Sequence, residues 1–218
     1  MGIRSKSICF AVMTACLLPT VAMGQSSVEA MGCGTLQKQP GGYGPHDYRV
    51  AKDKLPIVEK HHFDVGVETL TKQKTGPFGG DIGYTLGAFP NHHRALMAMV
   101  NLGLKEKRAQ PLGAKYTVDC FLIRAETYQP SDGMVKVIYG LYHLKHGRPG
   151  EAVKKLEEAR EIAGDDANVH YNLGLAYTDL KKYDKALESA HMAYAKGFPL
   201  PGLKNRLRRA GVWRDLPK

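Results

Sequence analysis

The chain contains no Cys-x-x-Cys pair, no Gly-x-Ser-x-Gly and no His-Glu-x-x-His. The first absence removes the signatures of thiol-redox catalysis and of c-type haem attachment. The others remove the commonest serine-hydrolase and zinc-protease arrangements. Gly41-Gly42 and Gly79-Gly80 occur, but without the strand-to-helix setting that a phosphate loop needs. Asp81 and Glu68 could act as a carboxylate pair only if the fold brought them together. No enzyme activity and no cofactor are therefore expected. Tryptophan occurs once in 218 residues, cysteine four times, and no segment after residue 24 approaches the length of a membrane span.

Acid is absent before Glu29, and what stands there instead reads as an address. Arg4 and Lys6 precede an apolar stretch from Ile8 to Met23 that Pro19 interrupts. Ala22-Met23-Gly24 then offers small residues for cleavage, so residues 1–24 read as a signal peptide. An uncleaved anchor is the competing reading. Removing Arg4 and Lys6 from the 31 basic residues leaves 29 against 21 acidic ones, a net charge of +8. That excess favours acidic partners or anionic surfaces. No nucleic-acid partner is expected, because no aromatic-plus-basic RNA motif appears and the chain reads as exported. The periplasm is the expected location.

Two cysteines remain after such cleavage, Cys33 and Cys120. An even count in an oxidising compartment predicts one disulfide between them. Two buried free thiols, or one thiol that pairs with a partner, are the alternative.

Residues 25–83 read as an N-terminal arm with a degenerate helical hairpin. Pro40-Gly41-Gly42 and Gly44-Pro45 mark looping chain. Helical signal begins near Leu55, with Asp53 as its cap and Ile57, Val58 and His61 on one face. A short helix is expected from Asp64. The glycines of 75–83 predict a loop. Residues 84–130 read as a degenerate helical repeat, with helices starting at Pro90-Asn91 and spanning Tyr116 to Tyr128. From Ser131 the pattern is regular. Helices are expected at about Asp132–His146, Pro149–Ile162, Ala167–Leu180 and Tyr183–Lys196. Residues 199–218 then form a basic capping helix, with Leu203, Leu207 and Trp213 on one side.

Within 131–198 the chain repeats itself. Gly140, Ala152 and Ala159 recur 34 residues later as Gly174, Ala186 and Ala193. The run Asn172-Leu173-Gly174-x-x-Tyr177, with Tyr183, Ala186 and Ala190, resembles a tetratricopeptide repeat. The resemblance implies an all-α fold: an α-solenoid of helix–turn–helix units with an irregular N-terminal arm. Gly and Ala would let helices approach, and Tyr177 and Leu173 would fill the space between units. Two units bury too little alone, so 84–130 and Leu203 to Trp213 must cover their ends. Asp47-Tyr48-Arg49, His62-Phe63, Tyr84-Thr85-Leu86 and Phe89-Pro90-Asn91-His92-His93 further resemble exported repeat proteins of Gram-negative bacteria.

The same resemblance implies a concave groove lined by each unit's first helix. Its lining would be Met134, Val137, Leu141 and Lys145, then Asn168, Tyr171, Asn172 and Leu175. The two-carboxylate clamp of tetratricopeptide proteins needs Lys, Asn and Arg, and only Asn172 meets it. A mostly apolar groove favours an extended or helical segment of another exported or envelope protein. Packing against neighbouring helices is the other reading for Met134, Val137 and Leu141. The histidines, chiefly His62 and His92, supply an alternative function, a metal- or small-ligand-binding envelope protein. Adjacent histidines diverge by about 100° on a helix, so each pair offers one ligand easily.

Overall fold

The computed structural model describes residues 28–38 and 42–215. The signal-peptide reading of residues 1–24 lies outside them. From residue 55 on, the described residues form ten helices: α1 (Leu55–His62), α2 (Val65–Glu68), α3 (Phe78–Ala88), α4 (His93–Glu106) and α5 (Val118–Tyr128), then α6 (Gly133–Lys145), α7 (Pro149–Ala163), α8 (Ala167–Asp179), α9 (Tyr183–Ala195) and α10 (Gly202–Arg209). No strand occurs among the described residues. The protein is an all-α stack of antiparallel hairpins, α4–α5, α6–α7 and α8–α9, each packed on the next. Helices α1–α3 cover one end and α10 the other.

Local chemistry sets most boundaries. Asp64, Thr117, Asp132 and Asp166 each accept a backbone N–H of the first turn they open. Gly147 closes α6 with φ of 67°, and Lys181, 34 residues on, closes α8 with φ of 57°. Two large buried clusters form most of the core. One joins α2–α6 and the other α6–α10, and the half-buried Met134 packs against both.

Small residues sit where helices touch. A Cβ added to Gly140 would lie 2.7 Å from Cγ of Leu156 in its own hairpin. One added to Gly174 would collide with the side chain of Leu203 on α10. Leu203 and Leu207 are fully buried. Each stabilises the end of the stack by about 1.5–3 kcal/mol of apolar burial. Trp213 lies beyond α10, half-buried, its ring 4.7 Å from the Lys204 ammonium.

Cys33 and Cys120 are joined, closing a separation of 87 residues between the arm and α5. Val28 and Leu36 pack around that bridge with Ile123 and Tyr128.

Three local expectations are corrected. Residues from Phe78 onward are not a loop: α3 runs through Gly79, Gly80 and Gly83. Gly79 serves close approach rather than a turn, since its Cβ would lie 2.5 Å from the Leu112 carbonyl oxygen of the connection packed on it. Asp53 does not cap α1; Lys54 occupies that place with no side-chain bond. Of the face assigned to α1, Val58 is buried, whereas Ile57 and His61 are exposed.

The Gly174–Leu203 contact can be tested by a mutant cycle. Gly174→Ala is expected to cost about 1–3 kcal/mol by overpacking, and Leu203→Ala about 2–5 kcal/mol by leaving a void. The double variant should cost clearly less than both together, because the new methyl enters the vacated space. Urea denaturation of the four proteins measures this, and strict additivity would contradict the contact.

Candidate functional site

His93, Gly133 and Ala167 open the first helices of the three hairpins. Counting from them puts Arg94, Met134 and Asn168 at one level of the inner face. Met97, Val137 and Tyr171 form the next level, and Asn101, Leu141 and Leu175 the one after. Helices α4, α6 and α8 lie side by side, so these levels run across the stack. Met97, Met134, Leu141, Leu144 and Leu175 are half-buried, with one side on the core and one side open. Arg94, Lys105 and Lys145 are exposed beside them.

The residues expected in the groove divide. Lys145 and Asn168 are exposed, and Met134, Leu141 and Leu175 are half-exposed. Val137 is 2% exposed and belongs to the core. Tyr171 is 9% exposed because the Phe198 ring stacks on it at 4.0 Å between centroids. Asn172 donates to the Asn168 carbonyl at 2.9 Å and is buried, so it offers no clamp to a peptide carboxylate. The repeat-packing residues Gly140, Ala152, Ala159, Gly174, Tyr177, Ala186 and Ala193 are all buried.

A polar clasp, which is not among the site residues expected from the sequence, joins the irregular half to the repeats. Asn91 is fully buried. Its Nδ2 donates to Asp47 at 2.7 Å and to Asp132 at 2.9 Å, and its Oδ1 accepts the Tyr48 N–H at 2.9 Å. Asp132 also receives His93 Nε2 at 2.9 Å and caps α6 through the Met134 N–H. Arg49 lies 3.5 Å from the same carboxylate and donates to the Gln129 side chain. Burial alone would raise the Asp132 pKa, but the hydrogen bonds from His93 and Asn91 outweigh it and hold the pKa low. Beside the clasp, Arg94 pairs with both Glu59 and Glu68, and its hydrogen bond holds Glu68 below the usual carboxylate range.

The histidines are structural in geometry. His92 accepts the Ala95 N–H through Nδ1, which leaves Nε2–H to donate to Glu59 at 3.1 Å. Neither nitrogen is spare for a metal. His62 donates through Nδ1 to Asp81 at 3.1 Å and stacks on Tyr84. Among the described residues no group of three or more His, Cys, Asp or Glu side chains could hold a metal ion. The pairing of His62 with His92 as ligands is therefore corrected: different carboxylates on different elements hold the two rings. Asp81 and Glu68 likewise stay apart in role, the first bound by Thr75 and His62, the second by Arg94. The clasp did leave a trace in sequence, since Pro90-Asn91 and Pro130-Ser131-Asp132 precede two successive first helices.

No protein-family model matches the chain, and no curated protein matches it. Among solved structures it is similar to MamA MSR-1 C2, with 13% identity and a TM-score of 0.45, over 80% of this chain and 92% of that one. It is also similar to a point mutant of MamA, with 14% identity and a TM-score of 0.42, over 80% and 94% of the two chains. The helical-repeat architecture is carried by the chain's own residues. Its hairpins, inner helices and Gly–Leu contacts define an all-α repeat stack. No helix among the described residues is long and apolar enough to cross a membrane.

The His92 geometry carries a pH dependence. Burial lowers its pKa from 6.5 to about 3. The unfolded chain therefore binds more protons between those two values, and stability falls as pH is lowered through that window. His92→Asn keeps a capping acceptor but cannot titrate. Its urea midpoint should drop less than that of the parent between about pH 7 and about pH 4. Equal drops would show that His92 is not held neutral.

Proposed function

We propose that this chain is a protein-interaction module that seats an apolar segment of another exported or envelope protein across the inner face of α4, α6 and α8. The observation that carries the reading is the row of half-buried residues Met97, Met134, Leu141, Leu144 and Leu175. The chain covers only their core-facing sides. Nearby, Phe198 shows how such a surface is filled, since it stacks on Tyr171 at the next level of the same face. Seating a partner there would extend that packing over the remaining open side.

The partner would present aliphatic or aromatic anchors and carry acidic residues toward Lys105 and Lys145, which flank the row; Arg94 is already paired with Glu59 and Glu68. Helical or extended segments both suit spaced apolar anchors. Export to the periplasm follows from the Arg4–Gly24 address and fits the disulfide at Cys33 and Cys120, because such bridges persist in oxidising compartments. The proposed activity is binding, since the inner face carries half-buried apolar groups beside exposed cations.

A photo-crosslinker placed at Leu141 or Leu175 should capture the same envelope protein in intact cells. One placed at Glu161, exposed on α7, should not. Leu141→Glu should weaken the interaction by about tenfold or more, as truncating an interface anchor does, with its melting temperature close to that of the parent. Capture at Glu161 but not at Leu141 or Leu175 would move the interface off this face.

A further inference from the structure

A cavity of about 400 Å³ lies between the arm, the end of α3 and the start of α5, away from the inner face. Its walls are aromatic, formed by Tyr84, Tyr116 and Phe121, and Gly83 and Gly87 leave one side of α3 bare beneath them. Gly83 and Gly87 are one helical turn apart, so they share a face. Packing does not demand glycine at either place. A Cβ at Gly87 would meet nothing within 4 Å, and one at Gly83 would meet Phe121 at an ordinary 3.6 Å. Glycine weakens a helix relative to alanine. Here it keeps a flat, open surface opposite aromatic rings.

The charge of the cavity is one-sided. Arg124 lines it while being only 7% exposed. Its Nη1 donates to the Cys33 and Thr35 carbonyls at 2.8 and 2.9 Å, and the Tyr116 ring lies 5.0 Å from its guanidinium carbon. Both of those bonds leave through one nitrogen of a group with five N–H donors. Among the described residues no carboxylate lines the cavity or forms an ion pair with Arg124, whereas Lys115 stands at the rim. A buried cation balanced only by neutral carbonyls favours an incoming anion, and a guanidinium fits a carboxylate through two parallel hydrogen bonds.

We propose that this cavity binds a small aromatic carboxylate, with its ring over Gly83 and Gly87 and its carboxylate on Arg124. The disulfide and the Arg124 bonds to Cys33 and Thr35 hold the arm in place as the outer wall. Ligand and arm therefore depend on the same side chain. This site is separate from the inner-face interaction, and neither requires the other.

Isothermal titration of the disulfide-intact protein with naphthoate and with neutral naphthamide tests it. Naphthoate should bind saturably below about 1 mM, and naphthamide at least about tenfold more weakly. Arg124→Gln should bring naphthoate down to the naphthamide level. Because that change also removes two bonds to the arm, Gly87→Leu is the deciding variant. It fills the open space, leaves Arg124 untouched, and should reduce naphthoate binding by more than about tenfold with near-ultraviolet circular dichroism unchanged. The proposal is overturned by any of three results: no saturable heat with naphthoate up to about 5 mM, equal binding of the acid and the amide, or undiminished binding to Gly87→Leu.

Discussion

One buried amide holds the two halves of this molecule in register. Asn91 gives its two N–H groups to carboxylates from two different segments, Asp47 of the arm and Asp132 at the head of α6. Its carbonyl takes the Tyr48 N–H, so the whole side chain is spent on connections. Two carboxylates brought this close would repel, and burying them would be costly without donors. Asn91, His93 and Arg49 supply the donors. Because Asp132 also caps α6, the clasp ties the arm, the start of α4 and the start of the first regular repeat to one point.

From that point the stack is built by approach distance and by bridging charge. Gly140 and Gly174 allow contact that any Cβ would prevent, and the buried Leu156 and Leu203 occupy the space they leave. Along the outer side, Lys136 joins Glu126 of α5 to Glu158 of α7, and Lys155 reaches back to Glu126. The ion pairs thus tie the first hairpin to the second, while the glycine contacts close the second hairpin on itself and the third on α10. The inner face stays less completely packed, with Met134, Leu141 and Leu175 half-buried.

The regular part of this architecture was readable because its period is uniform. Gly140, Ala152 and Ala159 return at Gly174, Ala186 and Ala193 with no insertion, and the hairpins they define are present with ends within about two residues, the usual scatter of helix limits. The first hairpin was harder to see. Residues 107–117 connect α4 to α5, where residues 146–148 suffice for α6 to α7, so its phase is lost. The glycines of α3 misled because glycine reports two different things, backbone freedom and close approach, and sequence does not separate them. Val137 and Tyr171 were legible as apolar positions on a first helix. Their burial depends on neighbours distant in sequence, such as Phe198. Asn91 and Arg124 carried no periodic signal at all. Arg124 is a buried charge among Phe121, Leu122 and Ala125 on α5, and nothing in the sequence pattern singles it out. The disulfide followed from counting and compartment alone.

Leu203 against Gly174 has a meaning beyond the local fit. A repeat stack ordinarily ends in a surface shaped to receive another repeat, and a second molecule could supply one. Here α10 already occupies that place, and α1–α3 occupy the corresponding place at the other end. Growth of the stack from molecule to molecule would require one of these covers to detach first. In the described residues both ends of the hairpin stack are thus already covered by helices that do not belong to the repeat.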